Sequence, residues 1–336
     1  MKPGGLRAVY LVAALAIMLP AAQAQTAKPI SMEVSASPIS NFRIGSSETR
    51  FGPLEFVGGL SLRAGDDTFG QLSSMRFLSP GSAVIGVADH GYWFFGTVER
   101  DSNHVPIGIR DFRMQAMVDK TGVPVASKRD KDAEGIDVRD GVATVAFERN
   151  ARVAQYAIDP SGMTGPLREL DFIIPRNELR HNQGFETLVY SPKESALQGA
   201  PVVIAERSVD PDGNIFAAIL DGPQRGIFKV ARTDEFDVTD GVFLPGGDLL
   251  LLERRFSLSR GVAMRLRRIV GDDLRKGALV DGGTLVEVGL NHHIDNMEAI
   301  DVWRRDDGEL VVALMSDDNQ SFLQRTLYLE FILSGD

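Results

Sequence analysis

Beyond residue 24 the chain is a succession of short apolar runs, closed about every ten residues by Gly, Asp, Asn or Pro, and no long stretch keeps the 3.6-residue spacing of an amphipathic helix. Residues 132–150, DAEGIDVRDGVATVAFERN, are the plainest case. Two apolar runs meet at Arg-Asp-Gly, a hairpin signal, with Glu134 opening the first run and Glu148 with Arg149 closing the second.

The same pattern recurs. NQGFETLVY leads to PVVIAERS, VTDGVFLPGGDLLLLERR compresses both halves, DNMEAIDV leads to ELVVALMSDDN, and a weaker first copy runs from FGQLSSMRF to AVIGVADH. Aligned on the Glu-Gly step, the copies bring Ser73, Glu134, Glu186, Asp240 and Glu298 into register, 61, 52, 54 and 58 residues apart. Further alternating segments follow each pair, so each unit reads as four strands. A four-stranded unit at this period is a β-propeller blade. Five blades are recognisable, with room for a sixth in the N-terminal segment. LEFVGGLSLRAG reads as an unpaired strand and TLYLEFIL as a last strand without a neighbour, so the two are expected to pair and close the ring.

In a blade the start of the first strand and the end of the second lie at one face of the disc. That places Glu134, Glu148 and Arg149 at one mouth of the channel. It predicts the same for Asp89, Glu186, Glu206, Arg207, Asp240, Glu253, Arg254, Glu298, Asp317, Asp318 and Asn319, with His90, His181, His292 and His293 flanking them. Like charges so crowded cost about 4 kcal/mol per pair at about 4 Å and an effective dielectric near 20. Three arginines do not offset eight or more acids, so a hard cation held by oxygen ligands is expected. Trp93 and Trp303 read as blade-packing aromatics.

Composition narrows the setting. Lys2 and Arg7, the apolar run AVYLVAALAIML and the small residues Ala22 and Ala24 form a Sec-type signal peptide over 1–24, leaving 25–336 as one domain in the periplasm or medium. The 36 basic residues fall to 34 when Lys2 and Arg7 go, against 46 acidic ones, a formal charge of −12. Such a charge argues against nucleic acid and anionic membranes as partners. With no cysteine, thiol catalysis and disulfides are excluded. No G-x-S-x-G elbow, H-E-x-x-H, Walker loop or dinucleotide fingerprint occurs. A monomer with a small anionic or ester substrate, and no stable membrane span once the leader is cleaved, is expected.

At DAEGI, NQGFETL, LLLLERRFS, DNMEAI and MSDDNQS, in order from about Phe69 to Leu329, the chain resembles the phytase-like family of exported bacterial proteins, the "esterase-like activity of phytase" family. The resemblance implies a propeller related to calcium-dependent phytases, whose acidic mouth holds calcium, binds phosphate and activates water. It implies Asp89, Glu134, Glu186, Glu298 and Asp317 as metal-binding positions, Glu134 or Glu186 as the base, and Arg149, Arg207 and Arg254 as anion clamps. Ser73 in place of an acid, and Ala299 in place of the usual Gly, depart from the pattern. The function so implied is a metal-dependent hydrolase of a phosphoester or related ester. A lactonase-type propeller and a non-catalytic envelope binding propeller remain alternatives.

Overall fold

The computed structural model describes residues 27–257 and 261–335. The signal peptide expected over 1–24 lies outside the described residues. Among those described, no helix is long and apolar enough to cross a membrane.

Five sheets form a five-bladed propeller, antiparallel throughout except where Leu279–Val280 adds a short parallel strand to the outer edge of the third. Blade I contains strands β1 (Leu72–Phe77), β2 (Ala83–Ala88), β3 (Tyr92–Arg100) and β4 (Pro106–Ala116). Blade II contains β5 (Ala133–Arg139), β6 (Val142–Phe147), β7 (Arg152–Ala157) and β8 (Arg168–Leu170). Blade III contains β9 (Phe185–Tyr190), β10 (Pro201–Val209), β11 (Ile215–Ile219) and β12 (Gly226–Val230). Blade IV contains β13 (Asp237–Phe243), β14 (Leu249–Ser257), β15 (Gly261–Ile269) and β16 (Gly283–Gly289). Blade V contains β17 (Asn296–Arg304), β18 (Leu310–Asp317) and β19 (Thr326–Leu333), and is completed by Leu54–Ala64 from the N-terminal side.

That last pairing is the expected closure. Leu329 lies opposite Gly59 and Leu333 opposite Leu54 in an antiparallel ladder, so the ring has no open edge at its seam. The described part of the N-terminal segment therefore forms no sixth blade. Val34–Ile39 adds an outer strand to blade V, and Ile30–Ser31 adds one to blade I.

Every inner strand touches its two neighbours around the axis, and five apolar clusters fill the five seams between blades. Strands buried on both faces read as near-continuous apolar runs, which is why PVVIA, LLLL and LVVALM show little alternation. Trp93 packs edge-on against Tyr156 across the seam of blades I and II, and Trp303 packs on Phe77 and Arg100, as blade-packing aromatics should. The Arg-Asp-Gly hairpin forms as read, with φ of 51° at Asp140 and 76° at Gly141 giving the left-handed pair that a two-residue turn needs. Gly135 is required for another reason. A Cβ there would lie 2.5 Å from the Glu186 carbonyl oxygen, so its absence lets β5 and β9 approach.

Candidate functional site

Each inner strand carries one β-bulge at the same level, on Ser73, Glu134, Glu186, Thr239 and Glu298. A bulge inserts a residue without a ladder partner and re-aims its side chain, here at one mouth of the channel. The second strands end in a matching ring of Asp89, Glu148, Glu206, Arg254 and Asp317. Blade IV is the exception in both rings, with Thr239 and Arg254 where most other blades carry acids.

The register corrects two expectations. The blade IV counterpart of Glu134 is Thr239, whose hydroxyl donates to the Met297 and Leu252 carbonyls. Asp240 sits one residue deeper, below the mouth. Glu253 likewise is not at the mouth: it is one residue short of the ring position and is buried between Arg265 (2.6 Å) and Arg267 (2.5 Å).

The two rings enclose a cavity of about 290 Å³ lined by eight carboxylates, Asp89, Asp132, Glu134, Glu148, Glu186, Glu206, Glu298 and Asp317, and by two guanidiniums, Arg149 and Arg254. Arg149 Nε lies 2.8 Å from Asp132 Oδ2. Arg254 bridges Glu298 (3.0 Å) and Glu206 (3.3 Å), the acids of the blades on either side of its own, and also donates to Asn296. Arg207 does not reach this cavity. It pairs with Asp237 at 3.3 Å and lines an adjoining cleft. The imidazoles also stand outside the lining: His90 bonds the Thr68 carbonyl and stacks on Tyr92, His181 is exposed, and His292 packs on Phe42 and Phe51 beside His293. Asp318 turns to the Gln71 amide and the Thr326 hydroxyl.

Desolvation is the largest cause of every carboxyl shift here, and neighbouring acids add to it. Glu148 is pushed up to about 8 by burial and by Asp132 and Glu206. Glu298 is pushed to about 7 by burial against the pull of Arg254, and Asp89 to about 6 by burial and Asp132. Glu134, Glu186 and Asp317 are held well above the ordinary carboxylate range by burial and crowding. Glu134 and Glu186 have no hydrogen-bond or ion-pair partner among the described residues, and Asp89 Oδ1 is buried without a donor.

Two groups, Asp89 with Asp132 and Glu134, and Glu148 with Glu186 and Glu206, each bring one oxygen per residue within 4.8 Å of one another. An all-oxygen, anionic and under-compensated donor set fits a hard cation. Asp132 is the residue that the sequence reading passed over, although it stands in the quoted DAEGI. The signal was positional: two residues before each bulge stand Gln71, Asp132, Gly184, Asp237 and Asn296, polar in every blade but one.

A profile described as Phytase-like, esterase-like activity of phytase, matches residues 67–320, most of the chain and all five bulges. The chain belongs to the phytase-like family. Among solved structures this phytase-like protein is similar to an endo-arabinase from Bacteroides thetaiotaomicron, at 12% identity and TM-score 0.50, over 80% of this chain and 96% of that one. It is also similar to an α-L-arabinofuranosidase from Podospora anserina, at 10% identity and TM-score 0.42, over 91% of this chain and 97% of that one. At such identity the likeness to the arabinase is one of fold. A search of curated proteins finds no match.

Proposed function

We propose that this phytase-like protein is an exported, calcium-dependent hydrolase of a phosphoester or related ester. The observation that carries the reading is the imbalance at the mouth: eight carboxylates around one small cavity, two guanidiniums, and two glutamates, Glu134 and Glu186, with no partner among the described residues. Asp89, Asp132 and Glu134 would hold one ion and Glu148, Glu186 and Glu206 a second, with Glu298 and Asp317 at the edge. Bound there, calcium supplies positive charge that attracts the anionic oxygens of the substrate and acidifies nearby water.

The chain's own residues do the rest. Each triad uses one oxygen per carboxylate, so the second oxygen of Glu134 or Glu186 is available to take the proton from the attacking water. Arg254 offsets Glu206 and Glu298 and so shapes where the remaining negative charge lies. Arg149 stands where it can stabilise charge that develops on the substrate. Arg207 belongs to the adjoining cleft.

One observation favours a second reading, the opening of a neutral lactone. Both arginines of the cavity are already paired with carboxylates, which weakens the case for an anion clamp. A panel of phosphomonoesters, aryl esters and lactones, each assayed with calcium and with chelator, separates the readings. Calcium-dependent turnover of phosphomonoesters supports the first, and turnover of lactones alone supports the second. No turnover on any of them, with a melting temperature indifferent to calcium, returns the propeller to a binding role.

A further inference from the structure

The four most exposed large apolar side chains among the described residues are Phe322 (97%), Leu323 (77%), Phe256 (72%) and Leu290 (64%). Three of them, Phe256, Leu290 and Leu323, line one cleft of about 680 Å³ together with Val262 and Ile294. That volume lies in the range of small-molecule sites, and exposed apolar side chains gathered in one concavity are a recognition surface more often than a solvated one. The cleft adjoins the acid cavity, with Glu206, Arg254 and Asn319 lining both. Arg207 and Arg255 stand in the same cleft. Beside the carboxylate rings there is thus a cleft with an apolar floor of these side chains and with Arg207, Arg254 and Arg255 facing Glu206, Asp237 and Asp295 in its walls.

The acid cavity, at about 290 Å³ and lined by eight carboxylates, has room for a reacting ester group and the ions beside it, but little for a large organic remainder. The remainder must lie outside, and the adjoining cleft is a lined concavity beside it. We propose that the cleft bounded by Phe256, Leu290 and Leu323 binds the organic portion of the substrate, so that the substrate class is an ester of an anionic head with an alkyl or aryl tail and not a compact polyanion. This rests on the reading of the acid cavity as the hydrolytic centre. An apolar tail gains most where these side chains are now solvated, and the head is held at the junction where Arg254 sits between the two spaces.

The test separates the tail from the chemistry. Alkylphosphonates from methyl to octyl carry the head but no hydrolysable ester, and their affinities are measured by calorimetry with calcium present. Affinity should rise about two- to fourfold per methylene as successive carbons leave water. In a Phe256→Ser, Leu290→Ser double variant the octyl-to-methyl ratio should drop at least about tenfold. Both positions are solvent-facing, and an unchanged melting temperature verifies the fold. Binding that ignores chain length overturns the cleft and leaves the acid cavity as read. No binding of any phosphonate overturns both. Length-dependent binding without turnover of any phosphate ester supports the cleft while removing the hydrolase. Self-association of the wild type that the double variant abolishes would assign the surface to a second copy and overturn the proposal.

Discussion

At the mouth, eight carboxylates share two guanidiniums; a few residues further down the same five strands, three aspartates share one. In the lower layer Arg76, 2% exposed, crosses the axis from blade I. It donates to Asp240 (2.9 and 3.1 Å) and to the carbonyls of Gly241, Ile300 and Leu188, and lies 3.7 Å from Asp137. All five blades meet on this guanidinium. Asp240 accepts five hydrogen bonds, including those from the Ser74 hydroxyl and the Gly241 and Ile300 amides. Asp137 and Asp301 each take a backbone amide from the next blade, Tyr190 at 2.5 Å and Phe77 at 2.6 Å. The lower layer is closed and the upper one is open. Buried carboxylates that each accept hydrogen bonds from one network are structural, whereas Glu134 and Glu186, without a partner among the described residues at an accessible mouth, call for a ligand.

The largest effect expected from this contrast is on chemistry. Glu134→Gln keeps volume but removes the charge and the basic oxygen, so turnover on the substrate found by the panel should fall about 10² to 10⁴-fold. In chelator the melting temperature should hold or rise, because one member of a repelling cluster is gone, whereas the gain on adding calcium should shrink. Glu148→Gln at the same mouth removes a ligand of the other ion and no candidate base, so its loss of turnover should shrink as calcium is raised. Full activity in Glu134→Gln rejects the catalytic assignment, and a loss that only tracks lost folding makes the upper layer structural like the lower.

Arg76→Met should act in the opposite way, destabilising the fold by about 3–5 kcal/mol because it strands Asp240 with no cation in a dry interior. Adding Asp240→Asn should recover part of the loss, a coupling that denaturant melts of the two singles and the double would measure. If Arg76→Met melts like the wild type, the lower layer is not the closed network described.

A smaller and pH-dependent effect comes from competition between protons and calcium for the same oxygens. The folded protein holds protons on Asp89, Glu298 and Glu148 more tightly than the unfolded chain does, up to about 6, 7 and 8. The ion-free protein is therefore stabilised most by these groups below the ordinary carboxylate range, and it loses that contribution as pH rises through 6 to 8. Calcium should restore it, by about 2.7 kcal/mol at a hundredfold excess over its dissociation constant. Melting curves with calcium and with chelator should nearly coincide at pH 5 and separate at pH 8. A calcium shift as large at pH 5 as at pH 8 would place the ion on groups other than these.

Much of this was legible in the chain. The recurrence of apolar runs gave five blades, the unpaired LEFVGGLSLRAG and TLYLEFIL gave the closure, and strand polarity brought Asp89, Glu134, Glu186, Glu298 and Asp317 to one mouth. These features depend on local period and on the direction of successive strands, which a sequence carries directly. Register does not. The Asp240-Gly241 step imitates Glu134-Gly135 although it lies one position deeper, so Asp240 read as a mouth residue while Thr239 took that place, and Glu253 read as one while Arg254 did.

Which charges find partners is likewise a tertiary matter. Arg207 turns to Asp237, Arg254 divides itself between two blades, and Arg76, unremarkable within LSSMRF, becomes the contact of all five. By itself the sequence determined the repeat, the ring and the acidity of its mouth, because each follows from residue type and spacing along one strand pair. The sorting of carboxylates into a closed layer and an open one was decided only when five strands from distant parts of the chain met around an axis, where distances between blades, and not positions in the chain, set which charges are answered.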